Sequence, residues 1–171
     1  YRDLNGDGQI TPDDQTMISE YGWTPRLQYG FGATVNWKQW DFGFFFTGSA
    51  KRKICVNGID PFNKQVSSEA NNMFQWIYDS HFDPRNPDFN VEYPRMGLNY
   101  GEIVNNTVAS THWVRDASFL RLRNLELGYS FKYGRVYVQG NNLLLFTPFK
   151  YWDPEMSSWT TYPTQKQVTV G

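Results

Sequence analysis

The sequence predicts an all-β fold, an antiparallel transmembrane β-barrel segment with long connecting loops, and three observations carry that reading. Residues 118–146, SFLRLRNLELGYSFKYGRVYVQGNNLLLF, read as two strands joined at Lys132-Tyr133-Gly134. Leu125, Leu127, Tyr129 and Phe131 fall on one face, and Asn124, Glu126, Gly128 and Ser130 on the other. A second pair of the same kind lies in residues 27–48. The third observation is that short turns alternate with long connections, as in outer-membrane barrels, where turns are short on the periplasmic side and loops long outside. A soluble sheet packed on one side alternates too, so the decision rests on strand length and on this asymmetry.

Composition sets the bounds. A chain of 171 residues can form a substantial core, and 18% aromatic residues with 14 Gly and 9 Pro favour β structure. No apolar run approaches the ~20 residues that a spanning helix needs. A mean hydropathy of -0.61 still suits a barrel, in which every second residue of a strand is polar. The formal net charge is -1, with both signs interspersed, so nothing resembles a nucleic-acid-binding field. Cys55 is the sole cysteine, which excludes an intrachain disulfide and a thiolate zinc cluster. The chain starts at Tyr1 without a signal peptide, which gives the expectation of a piece of something longer.

Taken in order, residues 3–14 (DLNGDGQITPDD) fit a calcium loop. Asp3, Asn5 and Asp7 occupy positions 1, 3 and 5, Gly8 the sharp turn, and Asp14 the closing position, with Gln9 offering its backbone carbonyl. Hard Ca²⁺ requires several oxygens, and alternate positions of a curled loop deliver them; an Asn/Asp/Gly-rich turn without an ion is the plainer alternative. Asp14 stands where a longer, bidentate Glu is usual, which weakens the expected affinity. Such an ion would be structural.

After Thr24-Pro25, Leu27, Tyr29, Phe31, Ala33, Val35 and Trp37 alternate with Gln28, Gly30, Gly32, Thr34 and Asn36. A turn at Lys38-Gln39 leads to Trp40, Phe42, Phe44 and Phe46 on an apolar face, with Asp41, Gly43 and Thr47 opposite and Phe45 out of pattern. Lipid covers such aromatic faces without a second protein layer. Residues 49–116 lose alternation and read as one long extracellular loop. Inside it, residues 69–78 place Ala70, Met73, Phe74 and Ile77 at helical spacing, and Trp76 on another face could stack on a sugar. His81 and His112 lack ligand spacing, and Asn105-Asn106-Thr107 matches a glycosylation acceptor only by letters. In residues 118–146, Leu120 and Leu122 have the opposite parity to Leu125 and Leu127. Either a bulge sits near Arg123-Asn124 or the outer end of the strand leaves the apolar zone. Residues 147–163 form a second long loop with Trp152 and Trp159, and 167–170 begin a last strand. Trp37, Trp40, Phe131, Tyr133 and Tyr137 gather at the short-turn end as an interfacial aromatic girdle. Five strands do not close, since single-chain outer-membrane barrels start at about eight, so the segment requires a larger barrel.

At family level, residues 1–14, PRLQYGFGATVNWKQWDFGFFFTGSA, HFDPRNPDF with YPR, HWVRDASFLRLRNLELGYSF and RVYVQGNNLLLFTPFKYWDPE together resemble the C-terminal barrel of SusC-like TonB-dependent transporters. The resemblance implies a plugged barrel of the 22-strand class in the outer membrane of Gram-negative bacteria. It also implies partnership with a SusD-like lipoprotein lid, TonB engaged through parts outside this chain, import of oligosaccharides or peptides, and no catalysis. Trp76, Trp152 and Trp159 are then candidate contacts to substrate or lid. The competing reading is a soluble calcium-stabilised β-sandwich that binds glycans through Trp76, Trp113, Trp152 or Trp159. A hydrolase with paired carboxylates is a third; 17 acidic residues make some close pair inevitable, and none is marked as tuned.

Overall fold

A computed structural model describes residues 2–56, 75–96, 106, 108–156 and 161–171. Its main body is one antiparallel sheet of five strands. β1 is Leu27–Trp37 and β2 is Trp40–Ala50; β3 (Lys53–Cys55) and β4 (Val114–Asp116) are short; β5 is Phe119–Phe131, β6 Gly134–Phe146 and β7 Gln167–Val170. The sheet order is β1-β2-β5-β6-β7, so β1 and β7 form open edges and the barrel is not closed within this chain.

Register shows why each strand alternates. The β1–β2 ladder pairs Phe31 with Phe46, Ala33 with Phe44, Val35 with Phe42 and Trp37 with Trp40, which puts both apolar sets on one face. Across β2–β5, Phe42 pairs with Leu127 and Phe44 with Leu125; across β5–β6, Leu127 pairs with Val138, and β7 adds Val170 beside Val138. The face is therefore continuous over all five strands. Its rings touch one another: Phe31 stacks on Phe46 at 5.3 Å, and Trp40 meets Tyr129 at 4.8 Å. No other described element covers it, and Phe31, Val35, Leu127 and Val138 are each about half exposed or more, at 51%, 57%, 46% and 48%. An apolar face of this extent on paired strands suits hydrocarbon, which supplies the missing cover.

The parity conflict in β5 is resolved by a bulge. Phe45 pairs with Asn124 and Phe46 with Leu122, leaving Arg123 as the extra residue. Leu120 and Leu122 thereby share the outward face with Leu125 and Leu127, while Arg121, Arg123 and Asn124 all serve the inner face. β6 answers with its own irregularity between Asn141 and Leu144, where Asn142 takes φ 55. Phe45, out of pattern by sequence, sits on the inner face, where its ring approaches the α-carbons of Gly30 and Gly32 closely enough that a Cβ on Gly30 would stand 3.1 Å from it. Glycine there makes room for the ring, and the ring covers the bare backbone.

One girdle residue changes face. Tyr137 pairs with Gly128 and stands on the inner side under the Arg135 guanidinium, 5.1 Å from its ring centroid. Tyr129 takes the outward place against Trp40. Parity counted from Gly134 as a turn residue misleads, because Gly134 already pairs with Phe131 as the first residue of β6. Trp37, Trp40, Phe131 and Tyr133 remain at the short-turn end, with Lys38 and Lys132 beside Trp37 and Tyr133.

At the opposite end the β2–β5 ladder continues past a kink at Lys51 (φ 56) into β3–β4, where Lys53 faces Asp116 and Cys55 faces Val114. The 49–116 connection thus begins and ends as paired strand. Above it, Ile54, Val56, Ile77, Tyr93, Trp113, Ala117 and Phe149 make a small core drawn from several loop segments. The helix α1 covers Gln75–Asp79, with Ile77 in that core; Ala70, Met73 and Phe74 of the expected helix lie outside the described residues. No described helix is long and apolar enough to cross a membrane. Placing Arg at Phe44 is expected to cost ~2 to 4 kcal/mol if this side chain lies at the bilayer midplane. Denaturant unfolding of the complete barrel in lipid vesicles reads that cost, and an unchanged stability would put Phe44 on the wrong face.

Candidate functional site

The inner face carries two ionic groups, one near each end. Close to the short turns, Arg135 bonds both Asp41 and Glu126, linking β6, β2 and β5. Gly128 leaves room between them: a Cβ there would meet the Arg135 guanidinium and both carboxylate oxygens of Asp41, so those side-chain ends would have to shift. At the long-connection end lies a denser group. Arg121, only 3% exposed, reaches Asp153 at 2.5 Å and Glu155 at 2.6 Å; Arg123 reaches Glu155 at 2.5 Å and Asn142 at 3.0 Å.

The sequence builds this group from two short patterns. In Arg121-Leu122-Arg123 the strand sends both cations inward, the second of them through the bulge. In Asp153-Pro154-Glu155 the Asp153 side chain accepts from the Glu155 amide at 3.0 Å, a local turn that presents both acids on one side. Pro154 is fully buried beneath. Arg52, 6% exposed, donates Nε to the Trp23 carbonyl at 2.8 Å and Nη1 to the Pro154 carbonyl, with its guanidinium 4.8 Å from the Trp23 ring centroid. Burial pulls the Arg52 pKa below its ordinary value, and Glu155 opposes that shift. The loop after β6 is therefore clamped to the sheet by ions at 153 and 155 and by Thr147, whose hydroxyl donates to the Ser118 carbonyl at 2.8 Å. Beside the clamp opens a cleft of about 720 Å³ lined by Trp23, Thr47, Ser49, Arg52, Arg123 and Glu155 among others.

The expected site residues separate into two places. Trp76 and Trp152 meet in one aromatic group around Tyr151, each 6.1 Å from its ring; Trp76 also packs edge-on against Tyr93 at 5.6 Å. Trp152 is half-buried against Phe149 at 4.6 Å, which gives it a packing role, whereas Trp76 keeps 43% of its surface open. Trp113 is 2% exposed and donates its indole N–H to the Asn106 carbonyl, so it offers no platform to a sugar. Trp159 lies outside the described residues.

The loop at residues 3–14 closes on itself. Asp3 accepts from the Gly6 and Gly8 amides at 2.6 and 2.9 Å, Asn5 from Asp7, and Asp7 from Gln9. Asp14 accepts from Leu4 at 2.7 Å and Thr11 at 2.8 Å. The Thr11 and Leu4 amides hold the Asp14 carboxyl below the usual range. Gly6 and Gly8 both adopt φ 79, the left-handed curl that a cation loop needs, and the donor set is all oxygen. Among the described residues no three His, Cys, Asp or Glu side chains converge as a metal set, so any ion here would draw on Asn5 and backbone oxygens as well. No period in the residue pattern marks the Arg121–Asp153–Glu155 group; its one signal is two same-sign pairs at spacing i, i+2.

A sheet with a lipid-compatible face, a polar ion-bearing face and two open edges defines a wall segment of a membrane β-barrel. Comparison with known proteins makes the class specific. The chain is 29% identical, over its whole length, to TonB-dependent receptor P26 of Formosa agariphila and 30% identical, over 91% of its length, to TonB-dependent receptor P3 of the same organism. It is 25% identical to TonB-dependent receptor SusC of Bacteroides thetaiotaomicron over 91% of its length. It spans 19%, 15% and 15% of those three relatives. Structures of the RagAB peptide transporter and of the RagAB peptide importer in a closed-closed state superimpose with TM-scores of 0.67 and 0.66, at 25% and 23% identity. They match 95% and 96% of this chain and 18% and 20% of theirs. No family model matches. The resemblance to SusC-like TonB-dependent transporters holds across the chain, which is an all-β segment of an outer-membrane barrel.

Removing Arg121 leaves Asp153 and Glu155 without their shared buried partner. Arg121→Ala is expected to cost about 3 to 5 kcal/mol and to open the loop after β6 to protease. Unfolding and limited proteolysis of the complete protein check this; wild-type behaviour in both would show that the ions do not hold the loop.

Proposed function

We propose that this chain forms wall strands and rim loops of a TonB-dependent nutrient importer in a Gram-negative outer membrane, taking up oligosaccharides or peptides beneath a SusD-like lipoprotein lid. The observation that carries the proposal is the clamped loop. A barrel wall needs only paired strands, yet this one spends buried charge fixing a long loop at its mouth, where a substrate must enter. The relatives' names as TonB-dependent receptors and the description of RagAB as a peptide importer support the same reading. Nothing in it requires catalysis: gating by a lid and by TonB is a shift between conformations.

The test is uptake by cells that carry the complete protein. Fluorescent oligopeptides and oligosaccharides are offered with and without a protonophore, and with the TonB gene deleted. Uptake of one class that stops under either treatment is the expected outcome, and uptake indifferent to both would overturn the proposal. Pull-down of a surface lipoprotein with the tagged barrel tests the lid.

We also propose that the 3–14 loop holds a calcium ion through Asp3, Asn5, Asp7, Gln9 and Asp14. The curled backbone and oxygen donors suit Ca²⁺, whose role would be to stiffen the loop. Calcium is expected to protect the loop from proteolysis in the wild type and not after Asp3→Ala with Asp7→Ala. Identical cleavage with and without calcium in the wild type would remove the ion from the account.

A further inference from the structure

We infer that the cleft beside the loop clamp is a recognition subsite for a carboxylate group of the transported substrate. The inference rests on the importer reading and narrows its substrate class. Its first ground is charge. In the clamp, Asp153 is taken by Arg121, and Glu155 by Arg121 and Arg123. That leaves Arg52, whose bonds run to the Trp23 and Pro154 carbonyls and, among the described residues, to no carboxylate. Among the described residues three cations of this group face two anions, and the cation that no carboxylate hydrogen-bonds lines the cleft, together with Glu155.

The second ground is independent of charge. Ser49 is 3% exposed, lines the same cleft, and its hydroxyl has no hydrogen-bond partner among the described residues; the hydroxyl of the half-buried Thr47, two residues along the inner face, is itself covered and likewise without one. Adjacent inward positions of β2 thus present two hydroxyls without a hydrogen-bond partner among the described residues, in a cleft also lined by a guanidinium that no described carboxylate hydrogen-bonds. Buried polar groups of this kind carry a desolvation cost unless something pairs them, and an anionic group that accepts from both hydroxyls and from Arg52 satisfies all three together. Trp23, stacked on Arg52, supplies an apolar wall and an optical reporter.

A purely structural Arg52 would act as a staple between residue 23 and the loop after β6, and its removal would disturb the fold whether or not a ligand binds. Ser49→Ala and Thr47→Val separate the two roles, because neither hydroxyl has a hydrogen-bond partner among the described residues. The experiment uses the complete purified transporter in detergent, where binding needs no TonB energy, with tryptophan fluorescence as readout. One probe pair is an oligopeptide with a free C-terminal carboxylate and its amide; the other is a uronic-acid oligosaccharide and its neutral, carboxyl-reduced form. The acid member of one pair is expected to bind about tenfold tighter than its neutral partner, with that preference lost in Ser49→Ala and Thr47→Val while folding is unchanged. The pair that shows it identifies the source of the carboxylate. Equal binding of acid and neutral forms, absence of binding in both pairs, or an acid preference that survives both substitutions would overturn the subsite. Energy-dependent uptake tests the importer reading separately, so the two can fail independently.

Discussion

Hydrocarbon offers no hydrogen bonds, and the rest of this structure depends on that constraint. Every peptide group that crosses it must pair within the sheet, and every side chain on the outer face must be apolar. β2 and β5 carry the central ladder, ten residue pairs from Trp40–Tyr129 to Ser49–Phe119. The bulge at Arg123 reconciles two demands along one strand. Without it, Leu120 and Leu122 would turn inward and Arg121 would face lipid, at a cost of several kcal/mol for a charge in the apolar zone. One additional residue keeps the leucines outward and sets Arg123 beside Asn124 on the polar side.

The same bulge links the wall to its mouth. Arg121 and Arg123 point where the loop after β6 returns, and Asp153 and Glu155 meet them there. Buried ion pairs add little net stability, because desolvation offsets attraction, but they fix position: a displaced loop would leave charges unpaired in a poorly solvated place. Beyond the kink at Lys51, β3 and β4 continue the ladder and support the small core around Trp113, Tyr93 and Phe149. Lipid-facing order is thereby extended into a shaped rim. In the proposed importer, a rim held in one geometry would lose less ordering entropy when a solute binds.

The strands were legible because their period survives in the letters. β1, β2 and β7 need only alternation, and even the β5 bulge announced itself as a clash of parity between Leu122 and Leu125. Tyr137 was misplaced for the converse reason: parity depends on where a hairpin turns, and Gly134 reads as a turn residue although it is paired. The ionic clamp was illegible because its members lie about 30 positions apart and no period connects them; Arg121 in a strand and Asp153 in a loop look like ordinary surface charges. The rim core was hidden likewise, since Trp113 reads as an exposed platform until neighbours from other segments close over it. The 3–14 loop sits at the opposite extreme, because its contacts run between near neighbours and its glycines mark its curl.

The central claim is that one face of this sheet meets lipid and that the face is kept continuous through the bulge. Spin-label scanning along β5 in the complete barrel, with Cys55 replaced and the protein in outer-membrane lipid, measures it directly. Labels at 120, 122, 125 and 127 should collide with lipid-dissolved oxygen, and labels at 121, 123, 124 and 126 with a water-soluble relaxation agent, the phase changing once at Arg123. Alternation that runs unbroken through Arg123, or aqueous accessibility on both faces, would contradict the account.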